Sequence, residues 1–373
     1  MSFETGTAAL MICPLAKELP EDFLAGFIRN HAGRLDDVKD EPVLGWVSGR
    51  HLLETDLNEN NCVCGGHLYL NLRKAERKIP AQLLNAICRR DELALMQASD
   101  KLFVTRKERA QIKADAIEKN LMKMPPTISA MPFLIDRSNN VLYFGGASLA
   151  AFDTFVAEYL RALPECEPVP ISVNELMIKL FQKNEADLPS LKFTSERDAD
   201  DEPMPGRDFL TWLWYCAEKE PEICKTKELG QVTLAVLGPL NFAFSPAKAK
   251  DPELCGAGES VVKKGNPLSS AEAKAALQVG KKLRKAKIIL ARNDAEKWTF
   301  SFDADTFAIT GLALPEGEEM ELNARLEERV MFLHQLHMML EEYFRLFAAS
   351  LLGDKLAATE KKIRQWAENR DSL

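Results

Sequence analysis

Twice along this chain a pair of short β-runs joined by a polar turn is followed at once by a helical pattern. That order constrains the fold more than any other feature. The first copy reads Ile128 to Ile135, the turn Arg137-Ser138-Asn139-Asn140, and the return run Val141 to Phe144. After Gly145-Gly146, the spacing of Ala150, Phe152, Phe155, Tyr159 and Leu160 predicts an amphipathic helix ending near Leu163. The second copy reads Lys297 to Phe302, the turn Asp303-Ala304-Asp305, and Thr306 to Leu314. Beyond Pro315 a long helix is predicted over about Glu318 to Leu352. Hairpins that each bury one face under a following helix give an α+β fold with antiparallel sheets. The identity between the two copies is too weak to prove duplication.

Around these units the chain reads as a mixture of short elements. A strand over Ala8 to Cys13 and a helix over Glu21 to His31 lead to Gly45-Trp46-Val47 and a strand over Leu68 to Leu72. Ala81 to Lys123 is helical in pattern and ends at Pro125-Pro126. Leu163 to Pro170, with three prolines, is the best linker candidate. An acidic loop spans Glu185 to Glu202. The aromatic run Arg207 to Tyr215 reads as a buried helix, with an aromatic-lined pocket as the alternative. Gln231 to Pro239 and Leu240 to Phe244 look like two strands. Ser269-x-x-Glu272 has capping-box spacing and predicts a helix running to about Lys285. A polar helix over Leu356 to Asn369 closes the chain.

With 373 residues, 46% hydrophobic and 28% charged, the composition is globular and the length suits two or three domains. No run of 18 apolar residues exists, which excludes a membrane-spanning helix. The Met1 segment lacks a basic n-region, so a cytoplasmic protein with reduced thiols is expected from its eight cysteines. Cys62-x-Cys64-x-x-His67, with His334-x-x-His337 as a second arm, is the nearest approach to a metal pattern. Gly65-Gly66 leading straight into a strand favours thiols at a strand edge instead. No metal and no cofactor are expected.

The net charge of −8 argues at first against a polyanion ligand, but the charge is segregated. Between Val261 and Arg292 stand nine bases and the single acid Glu272, leaving −16 for the rest of the chain. On the predicted helix, Lys274, Lys281 and Lys285 share one face. A stripe of one sign repels itself unless an anion lies against it. The alternative is a solvated face paired with the acidic loop. A second basic stretch, Lys101 to Lys123, includes Arg106, Lys107, Arg109 and Lys113, interspersed with acids. Phe103 is the only aromatic in either stretch, so contact with duplex phosphates fits better than stacking on single strands. There is no Walker or Rossmann glycine loop, no GxSxG and no HExxH. The carboxylates nearest a two-metal nuclease pattern, Asp303 with Asp305 and Asp198 with Asp200 and Asp201, read more simply as turn and loop residues. The expectation is therefore a non-enzymatic protein, with a metal-dependent nuclease acting on DNA as the alternative. A third option is an interaction module built on the long helix around Phe332, Leu336, Leu340, Tyr343 and Phe347, although packing of that helix in the core or at a dimer seam is the simpler reading.

Several segments in order resemble the RdgC family of recombination-associated proteins. They are Gly45-Trp46-Val47, Arg73-Lys74-x-Glu76-Arg77-x-Ile79-Pro80, Lys107-Glu108-Arg109 with Ile112-Lys113-x-Asp115, Ile135-Asp136 with Ala147-Ser148, and Val262-Lys263-Lys264 before Leu268-Ser269-Ser270. The similarity extends over most of residues 1 to 345. It implies a multi-lobed protein that closes into a ring-shaped homodimer around duplex DNA, binds without sequence preference and restrains the RecA recombinase. It also implies nucleoid association in the cytoplasm. The implied division is a central α+β domain from 1–80 with 125–165, a protruding helical tip at 81–124, and a base region at 166–292 holding the acidic loop and basic helix. The second half of the central domain is then 293–352, and 353–373 is a C-terminal helical extension. In that picture Lys263, Lys264, Lys274, Lys281, Lys282, Arg284 and Lys285, with Arg73, Lys74, Arg106, Lys107, Arg109 and Lys113, are the DNA-binding candidates. Lys264 and Gly265 mark one dimer contact, and Met124 and Pro125 the other. The sequence departs from the family pattern at both contacts, with prolines where the family's tip has an aromatic and Gly265 where a polar amide is expected.

Overall fold

The computed structural model describes residues 3–193, 202–245, 258–263, 271–293 and 295–368. Strand β1 (Ala8–Pro14) and helix α1 (Phe23–Arg29) open the chain, followed by β2 (Val43–Ser48), α2 (Glu59–Cys62), β3 (Val63–Cys64) and β4 (His67–Glu76). Helices α3 (Ala81–Ser99) and α4 (Arg106–Asn120) come next. The first hairpin is β5 (Thr127–Asp136) and β6 (Val141–Phe144), and its helix is α5 (Leu149–Ala162). The middle holds α6 (Val173–Phe181), α7 (Pro205–Lys219), β7 (Cys224–Thr226), β8 (Gly230–Ala243), β9 (Glu259–Val262) and α8 (Ala271–Gln278). Strands β10 (Lys282–Arg292), β11 (Glu296–Asp303) and β12 (Ile309–Ala313) precede α9 (Leu322–Leu351) and α10 (Leu356–Glu368). Both hairpin–helix units read from the sequence are therefore present, and the fold class is α+β with antiparallel pairing and a long C-terminal helix.

Local chemistry sets the helix starts. Thr105 and Glu108 form a reciprocal capping box on α4, Ser148 caps α5 and Ser172 caps α6. Glu321 accepts bonds from the amides of Asn323 and Ala324 at the start of α9. The turn of the first hairpin is tied by Asp136, whose carboxylate accepts from the amides of Ser138 and Asn139.

Two compact units divide the chain: Met1–Pro20, Val63–Leu68 and Phe133–Leu373 form unit 1, and Glu21–Cys62 with Tyr69–Pro132 forms unit 2. In unit 2, β2 pairs with β4 from Val43 opposite Ala75 to Ser48 opposite Leu70. Trp46, fully buried, meets Phe27 edge-on at 5.0 Å. Gly45 allows this packing, because a Cβ there would lie 2.4 Å from the Cα of Ala32.

Unit 1 carries the larger sheet, with neighbours in the order β5-β6-β1-β12-β11-β10-β8-β7 and β9 on the other part of β8. Opposed residues of an antiparallel pair project to one face, so side-chain positions can be followed across it. Leu10 opposes Ile309, which opposes Phe302, and Phe302 meets Phe209 of α7. Phe209 also packs on Phe344 and Phe347 of α9, so α7 and α9 share this face. Met11, one residue on, opposes Phe144, which packs on Phe152 and Phe155 of α5. The two hairpin–helix units thus send their helices to opposite faces of the unit 1 sheet.

Two expectations change. Leu163 to Pro170 is not a free linker: Val169 and Ile171 donate amide bonds to Pro14 and Ile12, so the segment lies along β1 within unit 1. The two strands expected at 231–244 are one, with Pro239 accommodated where the pairing to β10 shifts register. The long-helix residues Phe332, Leu336, Leu340, Tyr343 and Phe347 are buried in the core, in line with the simpler of the two readings and against an interaction surface. The aromatic run at Arg207 to Tyr215 is a buried helix, as its composition suggests. Part of the acidic loop, 194–201, with four of its seven acids, lies outside the described residues.

Candidate nucleic-acid interface

The helix expected to carry the basic stripe stops early. Helix α8 ends at Gln278, Gly280 takes a left-handed conformation (φ 87°), and the amides of Gly280 and Lys281 close the last turn on Leu277 and Ala276. From Lys282 the chain is a strand hydrogen-bonded on both sides, to β8 and β11. Alternation of Ala286, Ile288 and Leu290 with Lys285, Lys287 and Ile289 suits that double pairing, and it overrides the helical reading.

The consequence is that several candidate DNA ligands point inward. Lys274 is buried, 3.8 Å from Glu218 and over the Trp366 ring. Lys281 is buried, donates to Ser260 Oγ at 2.6 Å and sits over Phe244. Lys282 lies 2.5 Å from the fully buried Asp208, which also accepts from the amide of Leu191. Burial raises the pKa of the Asp208 carboxyl, while Lys282 acts in the opposite direction. Arg284 is half-exposed but engaged by Glu259 and Asp305, and Arg292 by Glu296. Asp305 also receives a bidentate pair from Arg207 at 2.6 and 2.8 Å. Except for Lys281, which meets a hydroxyl and a ring, these bases neutralise acids within unit 1 instead of forming an exposed stripe.

A smaller basic surface is left on the sheet face opposite α7 and α9. Lys285 opposes Asn241 and Asp303, Lys287 opposes Leu237 and Ser301, and Ile289 opposes Ala235 and Thr299. Ala291 opposes Thr233 and Lys297, and Ser301 opposes Thr310. Asn241 in turn opposes Val261, two residues before Lys263. Lys285 and Lys287 are half-exposed, and Lys263 and Lys297 exposed. No ion pair among the described residues engages these four lysines; the hydroxyls of Thr299 and Ser301 stand beside them on β11, with Thr310 one strand further out. Asp303 is the one acid in these cross-strand rows. Such a face can hold phosphate oxygens by charge and hydroxyl donation, and nothing in it reads a base. Sequence reasoning does not single out Lys287 and Lys297 as ligands; the period-two pattern at Lys285-x-Lys287 is the available signal.

In unit 2 the candidates divide. Arg73 is buried and donates to the carbonyls of Leu52 and Gly33, and burial lowers its pKa. Its guanidinium is thus occupied as a strut between two loops. Lys74 pairs with Glu76 at 3.0 Å. Arg106, Lys107, Arg109 and Lys113 are all exposed on α4. Arg106, Arg109 and Lys113 follow three and four residues apart along one flank. Arg109 is shared with Glu92, at 3.6 Å, whereas Arg106 and Lys107 have no ion pair among the described residues.

Of the dimer-contact candidates, Met124 is half-buried with its carbonyl accepting from Arg77, and Pro125 is exposed. Lys264 and Gly265 lie outside the described residues, as do Asp198, Asp200 and Asp201. Cys62 and Cys64 are buried, and no group of three or more His, Cys, Asp or Glu among the described residues could hold a metal ion. No helix of the described residues is long and apolar enough to cross a membrane.

Residues 23–182 match the family model described as "Putative exonuclease, RdgC". Over this stretch, less than half of the chain, the sequence is similar to the RdgC family. That likeness supports a recombination-associated, DNA-related protein. The RdgC match contains α3 and α4 with Arg106, Lys107, Arg109 and Lys113; β8 to β12, with the unpaired lysines, lie beyond it. No curated protein matches the chain.

Proposed function

We propose that this protein binds duplex DNA without sequence selectivity, as a homodimer, and that occupancy of the duplex limits access of the RecA recombinase. Nucleoid association in the cytoplasm is part of the same reading. The observation that carries it is the sheet face bearing Lys263, Lys285, Lys287 and Lys297, four lysines without acidic partners among the described residues beside a row of hydroxyls. Cations left unpaired while their neighbours are neutralised internally are suited to an external polyanion. The exposed bases of α4, within the RdgC region, add a second phosphate-binding surface.

Fluorescence anisotropy with two unrelated duplexes across a salt series tests this reading. Equal affinities that fall steeply with salt are expected. Lys285→Ala with Lys287→Ala and Lys297→Ala should reduce the log–log salt slope by about 0.9 for each phosphate no longer neutralised. Absence of binding at low salt overturns the proposal. The family description favours a second reading, exonucleolytic cleavage. End-labelled duplex incubated with magnesium or manganese separates the two: the binding-only reading expects the label to stay full length.

A further inference from the structure

Between α3 and α4 the chain exposes two consecutive apolar side chains, Leu102 at 94% and Phe103 at 71%. The loop that presents them is held at both ends. Asp100 ends α3 in a left-handed conformation (φ 48°), and the amides of Asp100 and Lys101 both bond to the carbonyl of Met96. On the other side the Thr105–Glu108 capping box starts α4, and Lys101 reaches Glu108 at 2.6 Å. Val104 turns inward and is buried. Leu102 and Phe103 are thus projected from a pinned turn, and Arg106 and Lys107 follow immediately with no acidic partner among the described residues.

An apolar pair in water needs a cover, and the adjoining charge selects it. A second copy meeting this one through the same loop would bring up the same surplus of positive charge, since a two-fold contact joins one patch to itself. A duplex brings the opposite charge, and apolar wedges flanked by bases are a known means of unstacking a base step. We propose that Leu102 and Phe103 form a wedge that enters a base step of duplex DNA from the minor groove, while Arg106 and Lys107 hold the neighbouring phosphates. The wedge rests on the duplex-binding reading and adds to it a deformation of the DNA.

The test uses the full chain with a duplex containing 2-aminopurine and a second duplex carrying a donor and acceptor dye at its ends. Saturating protein should raise the 2-aminopurine fluorescence and shorten the end-to-end distance by a kink of about 20–90°. Leu102→Ala with Phe103→Ala should abolish both signals while keeping the salt slope of binding and the far-ultraviolet circular dichroism. Arg106→Ala with Lys107→Ala should lower the slope by about two. Phe103→Trp should keep the unstacking signal. Binding by the wild type without unstacking, or unstacking unchanged in the Leu102/Phe103 variant, overturns the wedge and leaves the duplex-binding reading standing. No binding by the wild type removes both. A Leu102/Phe103 variant that halves the sedimenting mass without DNA assigns the pair to a contact between copies and overturns the wedge.

Discussion

Two lysines three residues apart illustrate how differently one residue type is used here. Lys282 is buried against Asp208 at 2.5 Å, whereas Lys285 is half-exposed and faces no carboxylate across the strand except Asp303. Removing one member of a buried pair leaves an uncompensated charge, so Lys282→Ala should cost about 3–5 kcal/mol in urea denaturation. Lys285→Ala should stay within about 0.5 kcal/mol of wild type and weaken DNA affinity instead. A second residue-scale device is Glu341, beside His337 at 2.8 Å and Lys179. Burial by itself raises this carboxyl, but the hydrogen bonds and charges of His337 and Lys179 outweigh it and hold the pKa at about 2. A depressed carboxyl stabilises the fold above its unfolded pKa and loses that contribution as pH falls through the folded value. Between about pH 4.5 and pH 2 the wild type should therefore lose up to about 3 kcal/mol that Glu341→Gln does not lose. Urea midpoints for both proteins across that range measure it.

Among the elements, α7 depends on one close approach. A Cβ at Gly206 would lie 2.2 Å from the carbonyl oxygen of Ala304, in the turn between β11 and β12. Gly206→Ala must push the start of α7 away from that turn, straining the bidentate pair of Arg207 with Asp305 and the packing of Phe209 on Phe302. A loss of about 1–3 kcal/mol, read as a lower thermal midpoint, is expected. The same elements mark where sequence patterns are sufficient. The two hairpins, the buried α7 and the long α9 follow from runs whose period and breakers agree. The stretch after Ala271 does not follow, because its lysines fit a helical face and a strand face equally well. Two hydrogen-bonded neighbours distant in sequence settle that choice, along with Gly280.

For the whole molecule, the expectation is a dimer. Sedimentation should give twice the 41.8 kDa of one chain, and a mass of one chain at micromolar concentration with and without DNA would remove the ring reading. The net charge of −8 does not predict the contact surface at this scale. What counts is how many bases remain after internal pairing.

The α+β class, the hairpin–helix order and the buried aromatic helix are legible before folding, because each is written in local periodicity and turn chemistry, whereas the RdgC-like segments rest on resemblance. Only tertiary structure decided which cations are free. Lys274, Lys281 and Lys282 meet Glu218, Ser260 and Asp208 through contacts that no local pattern encodes, and Arg73 is taken up by two loop carbonyls. Charge is a property of residues, but availability to a ligand is a property of their surroundings. That is why a stripe of nine bases in sequence becomes a small set of lysines on one sheet face.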